Sequence, residues 1–416
     1  MRIAVIANDT RGGVQPYAAL GVGLQRAGHE VTVVAPSHSI AMLTELGLAT
    51  ATLSGDAEAE AEAGANTAAN RRGPIASMRY VARELTPRIE AWTRETLAAC
   101  EGADLLTGGV GGMITGLSVA ERLGVPFVPT HLQPIGAPTG DHPGVLMTAI
   151  PSWLGRPGRL AGHRLTELAL WTPFAKPMAT ARRTVLGLSG RARAADGQPV
   201  LYGFSPRVVD LPPRPGHPRH VTGYWFLPAG PMWTPPPALE AFLARTDSPV
   251  VSIGFGSMAN QDPAAVTDLV LGAVRDAGVR AVLLSGWGGL ATAAGSDDAL
   301  VVEAVPHDWL FPRVTAAVHH GGAGTTGAAL AAGVPAVVVP FSVDQPFWAS
   351  RVTALGVGPT PIPRKRLTRE ALAAALRTAV TDEAMTARAA ALGRAIRAED
   401  GVAAAVTHFQ DIGPRR

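Results

Sequence analysis

Short apolar runs alternate with amphipathic stretches along most of the chain. Ile3 to Ala7 is an unbroken apolar run, the loop Asn8 to Gly13 follows, and Val14 to Ala27 carries apolar residues at helical spacing. Gly28-His29-Glu30 closes that stretch before a second run, Val31 to Ala35. Short runs bounded by turn residues predict strands buried on both faces, and the 3.6-residue period predicts the helices that cover them. The same reading gives a helix from Pro74 to about Cys100, a strand Asp104 to Thr107, a turn Gly108 to Gly112, a helix Met113 to Leu123 and a strand Val125 to Pro129. Val200 to Phe204 and Val221 to Trp225 read as the last strands of the first half. After many prolines between Leu211 and Pro237 the alternation restarts. Strands are expected at Val250 to Gly254, Arg280 to Ser285, Ala299 to Val302, Val314 to Val318 and Ala336 to Val339, with a helix at Pro263 to Ala277 and a helical region from Thr368 to about Phe409. Repeated β–α alternation implies α/β architecture: two Rossmann-like, doubly wound parallel-sheet domains that bind ligands at the carboxyl ends of their strands. The expected division is 1–215, a stiff proline-rich linker 216–237, 238–392, and a terminal helix 393–416.

Two tracts break the pattern. Asp56 to Asn70, rich in Ala and Glu, reads as an exposed loop. His131 to Leu160, rich in Pro, Gly and Trp, has no period and reads as a binding tract.

A chain of 416 residues, 47% apolar, suffices for two cores. Its net charge is +3, and Lys176 and Lys365 are the only lysines among 36 basic residues, a bias that coding composition explains. No basic cluster interleaves with aromatics, so nucleic acid is not an expected partner. The single Cys100 excludes an intramolecular disulfide and fits a reducing cytoplasm. No apolar stretch is long enough to span a bilayer, so integral membrane association is not expected. The N-terminal run is too short for a secretion signal and reads as a core strand.

Three loops after strands combine glycine with hydroxyls: Thr10-Arg11-Gly12-Gly13, Gly254-Phe255-Gly256-Ser257, and His319-His320-Gly321-Gly322-Ala323-Gly324-Thr325-Thr326. The third opens an Ala-rich helix. Uncapped amides and the positive end of a helix dipole suit a diphosphate there, with His320 as a further donor or cation. Asp344-Gln345, where the next strand ends, pairs a carboxylate with an amide and suits sugar hydroxyls. None of the loops matches the dinucleotide or P-loop fingerprints, and Asp297-Asp298 has no partner ligand that would make a metal site. Together these loops point to a nucleotide-sugar enzyme.

Val305-Pro306-His307-Asp308-Trp309-Leu310-Phe311-Pro312, the His319 to Thr326 loop and Pro340 to Trp348 resemble the donor-site signature of family 1 glycosyltransferases. The likeness is to the bacterial natural-product and sterol branch. It is strengthened by Ser285-Gly286-Trp287-Gly288-Gly289 and by Gly356 to Thr368, and is carried in the first half by Thr10-Arg11-Gly12-Gly13-Val14-Gln15-Pro16. The resemblance implies a GT-B fold, with an N-terminal acceptor domain, a C-terminal donor domain and a last helix returning to the first domain. It implies a UDP- or TDP-sugar as co-substrate, glucose favoured because of Gln345, and no cofactor or metal. His320 with Gly322, Ala323, Gly324 and Thr325 would bind the diphosphate, helped by Thr10, Gly256 and Ser257. The Val305 backbone would read the base, Trp287 or Trp309 would stack on it, and Asp344 with Gln345 would hold the sugar. Gly13, Met113, Leu146, Trp153 and Phe174 are candidates for an apolar acceptor pocket, and the expected state is a monomer or homodimer.

Relatives with this N-terminal loop usually carry Asp where this chain has Gly13, and glycine cannot accept a proton. His131 is the favoured replacement base, with Asp9 and then Asp141 or His142 as alternatives; an acceptor that needs little base help is a further one. An inverting hexosyltransferase acting on a hydrophobic small molecule is the leading reading. A sugar-nucleotide epimerase or hydrolase on the same fold, or a non-catalytic sugar-nucleotide-binding partner, are the others.

Overall fold

A computed structural model of the chain describes all residues except 56–73, 149, 193–197, 213–215, 217, 231–232, 257–262, 287–295 and 413–416; for 11, 74–84 and 152 it describes the backbone alone. The expected loop at 56–70, Ser257 and Trp287 lie outside the described residues. Two units emerge. One comprises Met1–Pro206, Asp210–Leu227 and Asp400–Arg416, and the other Arg207–Val209 and Pro228–Glu399.

The first unit holds a seven-stranded sheet: β1 (Arg2–Ile6), β2 (Glu30–Pro36), β3 (Ala49–Leu53), β4 (Leu105–Gly108), β5 (Phe127–His131), β6 (Val200–Tyr202) and β7 (Arg219–Val221). All pairings are parallel, in the order β3-β2-β1-β4-β5-β6-β7. Alternation along β1 sends Ile3 and Val5 to one core and Ala4 and Ile6 to the other. That is why the run is apolar throughout: both faces are covered. Helices Arg11–Arg26 and Gly401–Ile412 cover the first face, where Val406 and Phe409 join Leu20 and Leu24. Helices Pro74–Ala99, Val110–Leu123 and Gly155–Thr184 cover the second.

The second unit repeats the scheme with five parallel strands, β8 (Val250–Gly254), β9 (Arg280–Leu284), β10 (Ala299–Val302), β11 (Ala316–His319) and β12 (Ala336–Val338), in the order β10-β9-β8-β11-β12. Its core joins Val251, Ile253 and Leu283 of the sheet to Val270 and Val274 of helix Pro263–Ala277 and to Leu372 and Leu376 of helix Arg369–Thr381. Each such side chain contributes about 1.5–3 kcal/mol by leaving water.

Three expectations need correction. Arg219–Val221 pairs with β6, so the first sheet extends into the segment expected as linker, and the chain passes between units at Leu227–Pro228. The final helical region is three helices, Arg369–Thr381, Glu383–Arg397 and Gly401–Ile412, and the return to the first unit falls at Glu399–Asp400, beyond position 393. The irregular tract ends earlier than Leu160, because a 30-residue helix starts at Gly155.

Candidate active site

The second sheet's order reverses between β8 and β11, and the candidates Gly256, His320 to Thr325 and Asp344–Gln345 follow the carboxyl ends of these strands and of β12, while Val305 and Trp309 follow β10. His319 closes β11 opposite Gly254 of β8 and Val338 of β12. It is 1% exposed, and its Nδ1 accepts the Gly321 amide at 3.0 Å, so it is a structural pin. Burial holds its pKa down to about 3. Gly321, at φ +92°, turns the chain beside Gln345 into Gly322, the N-cap of helix Ala323–Ala332. No described side chain caps that helix, and the Thr326 amide, donating to the Gly322 carbonyl at 2.9 Å, makes the first helical hydrogen bond. The amides of Ala323, Gly324 and Thr325 precede it, on residues that are all at least partly exposed.

His320 lies across this helix start. A Cβ on Gly322 would sit 2.5 Å from its Nε2, and one on Gly256 would sit 3.0 Å from its Cε1. The ring therefore occupies a slot that two glycines leave open. Gly256 adopts φ +63°, so conformation as well as space favours glycine there. The His320 Nδ1 has no hydrogen-bond partner among the described residues. Burial, and secondarily the neighbouring His307, push the His320 pKa down to about 4, so the ring is neutral at pH 7. A neutral imidazole still has one ring N–H to donate. His307, which the sequence reading did not single out, stacks on Phe311 at 4.5 Å and is also held near pH 4 by burial. Its position directly after Val305-Pro306, at the start of helix His307–Leu310, was the available signal; that helix packs on helix Ala323–Ala332.

Val305 is buried, and its backbone amide and carbonyl have no hydrogen-bond partner among the described residues, which leaves an edge a base could read. Trp309 is engaged differently: Trp233 meets its ring edge-on at 5.2 Å and Arg313 lies 4.3 Å over it. Asp344 is the N-cap of helix Gln345–Ala354, and its Oδ2 accepts the Trp348 indole N–H at 2.9 Å. Gln345 is buried, and its Oε1 accepts the amides of Phe341 and Ser342 at 2.7 and 3.1 Å. It braces the loop that presents Asp344. Val343 in that loop is exposed at φ +57°, a conformation that costs a β-branched residue energy and often marks a functional turn.

The candidate bases and acceptor contacts belong to the first unit. Asp9 is exposed just beyond β1; its Oδ1 accepts the Thr10 amide at 2.7 Å and the Thr10 hydroxyl at 3.3 Å. Thr10 is the N-cap of helix Arg11–Arg26 without a side-chain cap bond. His131 ends β5, 4% exposed against Tyr202, and burial lowers its pKa to about 4. Such a site neither admits an acceptor nor strengthens a base. His142 is also buried, its Nδ1 near the Pro143 carbonyl, while Asp141 is exposed on the same turn, its amide donating to the Thr139 hydroxyl at 3.2 Å. Met113 and Phe174 flank one core cluster. Leu146 is half-buried, its amide donating to the Thr166 hydroxyl at 3.4 Å, and Trp153 is 81% exposed. No described contact joins these four acceptor candidates into one wall.

The family model for the C-terminal domain of erythromycin biosynthesis protein CIII-like proteins matches residues 290–408. The chain is 37% identical to O-mycaminosyltylonolide 6-deoxyallosyltransferase of Streptomyces fradiae, over 97% of this chain and 95% of that protein. It is 34% identical to a sterol 3-beta-glucosyltransferase of Cryptococcus neoformans var. neoformans serotype D over 98% of this chain, but spans only 27% of that longer protein. The glycosyltransferase SsfS6 of Streptomyces sp. SF2575, solved with thymidine diphosphate, shares the fold at a TM-score of 0.66, with 21% identity and 99% coverage of both chains. None of the helices among the described residues is long and apolar enough to cross a membrane. With a relative of this identity matched almost end to end, on two parallel-sheet α/β units, the chain belongs to the family 1 glycosyltransferases of the GT-B fold, among their natural-product and sterol members.

Proposed function

We propose that the chain is an inverting glycosyltransferase that moves a hexose from a nucleoside diphosphate sugar to a hydrophobic small molecule. The observation that carries this reading is the His320 imidazole, lodged between Gly256 and Gly322 over a helix start that no described side chain caps. That arrangement suits the leaving diphosphate: amides and a neutral N–H donor face the oxygens on which charge develops, without prior reorganisation. As charge gathers, the nearby anion favours protonation of His320 and strengthens its hydrogen bond. Asp344, whose Oδ2 accepts the Trp348 indole N–H, is the carboxylate we assign to the sugar hydroxyls. The relative named a glucosyltransferase favours glucose, and the fold neighbour solved with thymidine diphosphate favours a thymidine donor, so TDP- and UDP-glucose are the first donors to test. Polyketides, aromatic natural products and sterols are the acceptor classes.

The test incubates the purified chain with each donor and a panel of phenols, sterols and macrolactones, with mass detection of the glycoside. Transfer to at least one acceptor is the expected result. Absence of calorimetric binding of both TDP and UDP would overturn the reading. His320→Ala should weaken nucleotide binding and lower turnover by about 10²-fold, the usual loss for one oxyanion-stabilising donor. Because amides and His320 supply that stabilisation, EDTA should leave the rate unchanged.

A further inference from the structure

Displacement at the anomeric carbon needs a group to take the acceptor's proton, and the structure separates the candidates. His131 and His142 are enclosed, and Asp141 stands on a turn of the irregular tract. Asp9 differs in position. It follows β1, which adjoins β4 where the first sheet's order reverses, and it is exposed. Its turn is gripped from behind by the glycine-rich start of helix Val110–Leu123. A Cβ on Gly111 would overlap the Asn8 carbonyl oxygen, and one on Gly112 the Ile6 carbonyl oxygen. Backbone packs directly on backbone there, so the turn has little room to shift.

The decisive relation is with Gly13. A Cβ built on Gly13 would overlap the carboxyl carbon and both oxygens of Asp9. Gly13 lies inside helix Arg11–Arg26 without a left-handed φ, so its backbone does not require glycine. What a Cβ there would meet is the end of the Asp9 side chain, which would have to swing aside. A carboxylate thus stands where the side chain of residue 13 would begin, delivered from four positions earlier in the chain.

We propose that Asp9 is the catalytic base of this chain, and that residue 13 is glycine because the Asp9 carboxylate occupies its side-chain position. The inference rests on the glycosyl-transfer reading above. In the step, an Asp9 oxygen takes the proton of the acceptor hydroxyl while the acceptor oxygen bonds to the anomeric carbon. The bond from that carbon to the diphosphate oxygen breaks, its electron pair leaves with the diphosphate, and Asp9 later releases the proton to solvent.

A carboxylate that only closed the Thr10 turn could be replaced by its amide, whose oxygen accepts the same bonds; a base could not. The experiment compares the unaltered chain, Asp9→Asn, and the exchange Asp9→Gly with Gly13→Asp. The donors are TDP- and UDP-glucose, and the acceptors are cholesterol, an aliphatic alcohol, and 4-nitrophenol, largely ionised at pH 8. Asp9→Asn should bind TDP and UDP as the unaltered chain does, yet lose about 10²-fold or more in kcat toward the sterol. The loss toward 4-nitrophenol should be much smaller, and the exchange should recover most of the sterol activity. Sterol turnover of Asp9→Asn within about threefold of the unaltered chain, far short of a general-base effect, overturns the proposal. So does an equal loss on both acceptors with no recovery in the exchange. Failure of the unaltered chain to transfer sugar would count against the glycosyl-transfer reading itself, which separates the two failures.

Discussion

At the scale of single residues, the site is defined as much by absent side chains as by present ones. Gly322→Ala places a methyl group 2.5 Å from the present position of the His320 Nε2, so the ring must turn out of its slot. Alanine is also a poorer N-cap than glycine, so a stability loss of about 1 kcal/mol accompanies the displacement. Calorimetry with TDP or UDP should show affinity falling by about tenfold or more, the cost of one charge-assisted hydrogen bond. Unchanged affinity would mean that the imidazole does not touch the diphosphate. The sequence made His320 legible because a strand, glycines and a helix start are local signals. It could not reveal the slot, since Gly256 lies far earlier in the chain and meets His320 only through space. Nor could it reveal that burial leaves the ring neutral. The same holds for Gly13: a missing carboxylate can be read from the sequence, whereas the Asp9 carboxylate filling its place cannot.

At the scale of elements, strands such as β1, β2, β8 and β9 were legible because sheets covered on both faces demand unbroken apolar runs. Helix Gly155–Thr184 was not. It contains Pro173 and Pro177, and its first half buries Gly158, Gly162, His163 and Thr166; the apolar positions Trp171, Phe174, Met178 and Ala181 that meet the core come only in its second half, around the two prolines, so propensity and period announce it poorly. The join between helix Pro237–Ala244 and β9 depends on a residue that sequence logic would place on the surface. Arg280 is 1% exposed. Its guanidinium donates to the carbonyls of Phe242 at 2.6 Å, Ser248 at 3.2 Å and Arg245, and contacts Asp247 at 3.2 Å. Arg280→Met keeps the stem but strands these carbonyls without a donor. Urea denaturation should register a loss of about 3 kcal/mol, the desolvation of one or two buried carbonyls. A loss under about 0.5 kcal/mol, the range of an ordinary surface substitution, would show that water replaces the guanidinium.

At the scale of the whole molecule, both units enclose histidines. His131 lies in the first unit, and His307, His319 and His320 in the second. Burial is the main cause in each case, holding their pKa values near 4 for His131, His307 and His320 and near 3 for His319, against an ordinary 6.5. In the unfolded chain these imidazoles take up protons as pH falls through 6.5, whereas the folded chain keeps them neutral. The unfolded state therefore binds more protons below that pH, and stability must decline with acidification. Each group adds a slope of at most about 1.4 kcal/mol per pH unit, which ends once the folded form titrates. The decline should open just below pH 6.5, run to about pH 4 and continue for His319 to about pH 3. Carboxylates held low by surface partners, such as Asp247 and Asp276, act at the lower end of that range and below it. Scanning calorimetry from pH 7.5 to 4.5 should therefore show melting temperatures falling in both units, well above the pH at which carboxylates are neutralised. Melting temperatures that stay constant over that interval would mean that the enclosed imidazoles find protons while the chain is folded. The neutral donor assigned to His320 would then have to be replaced by a cation.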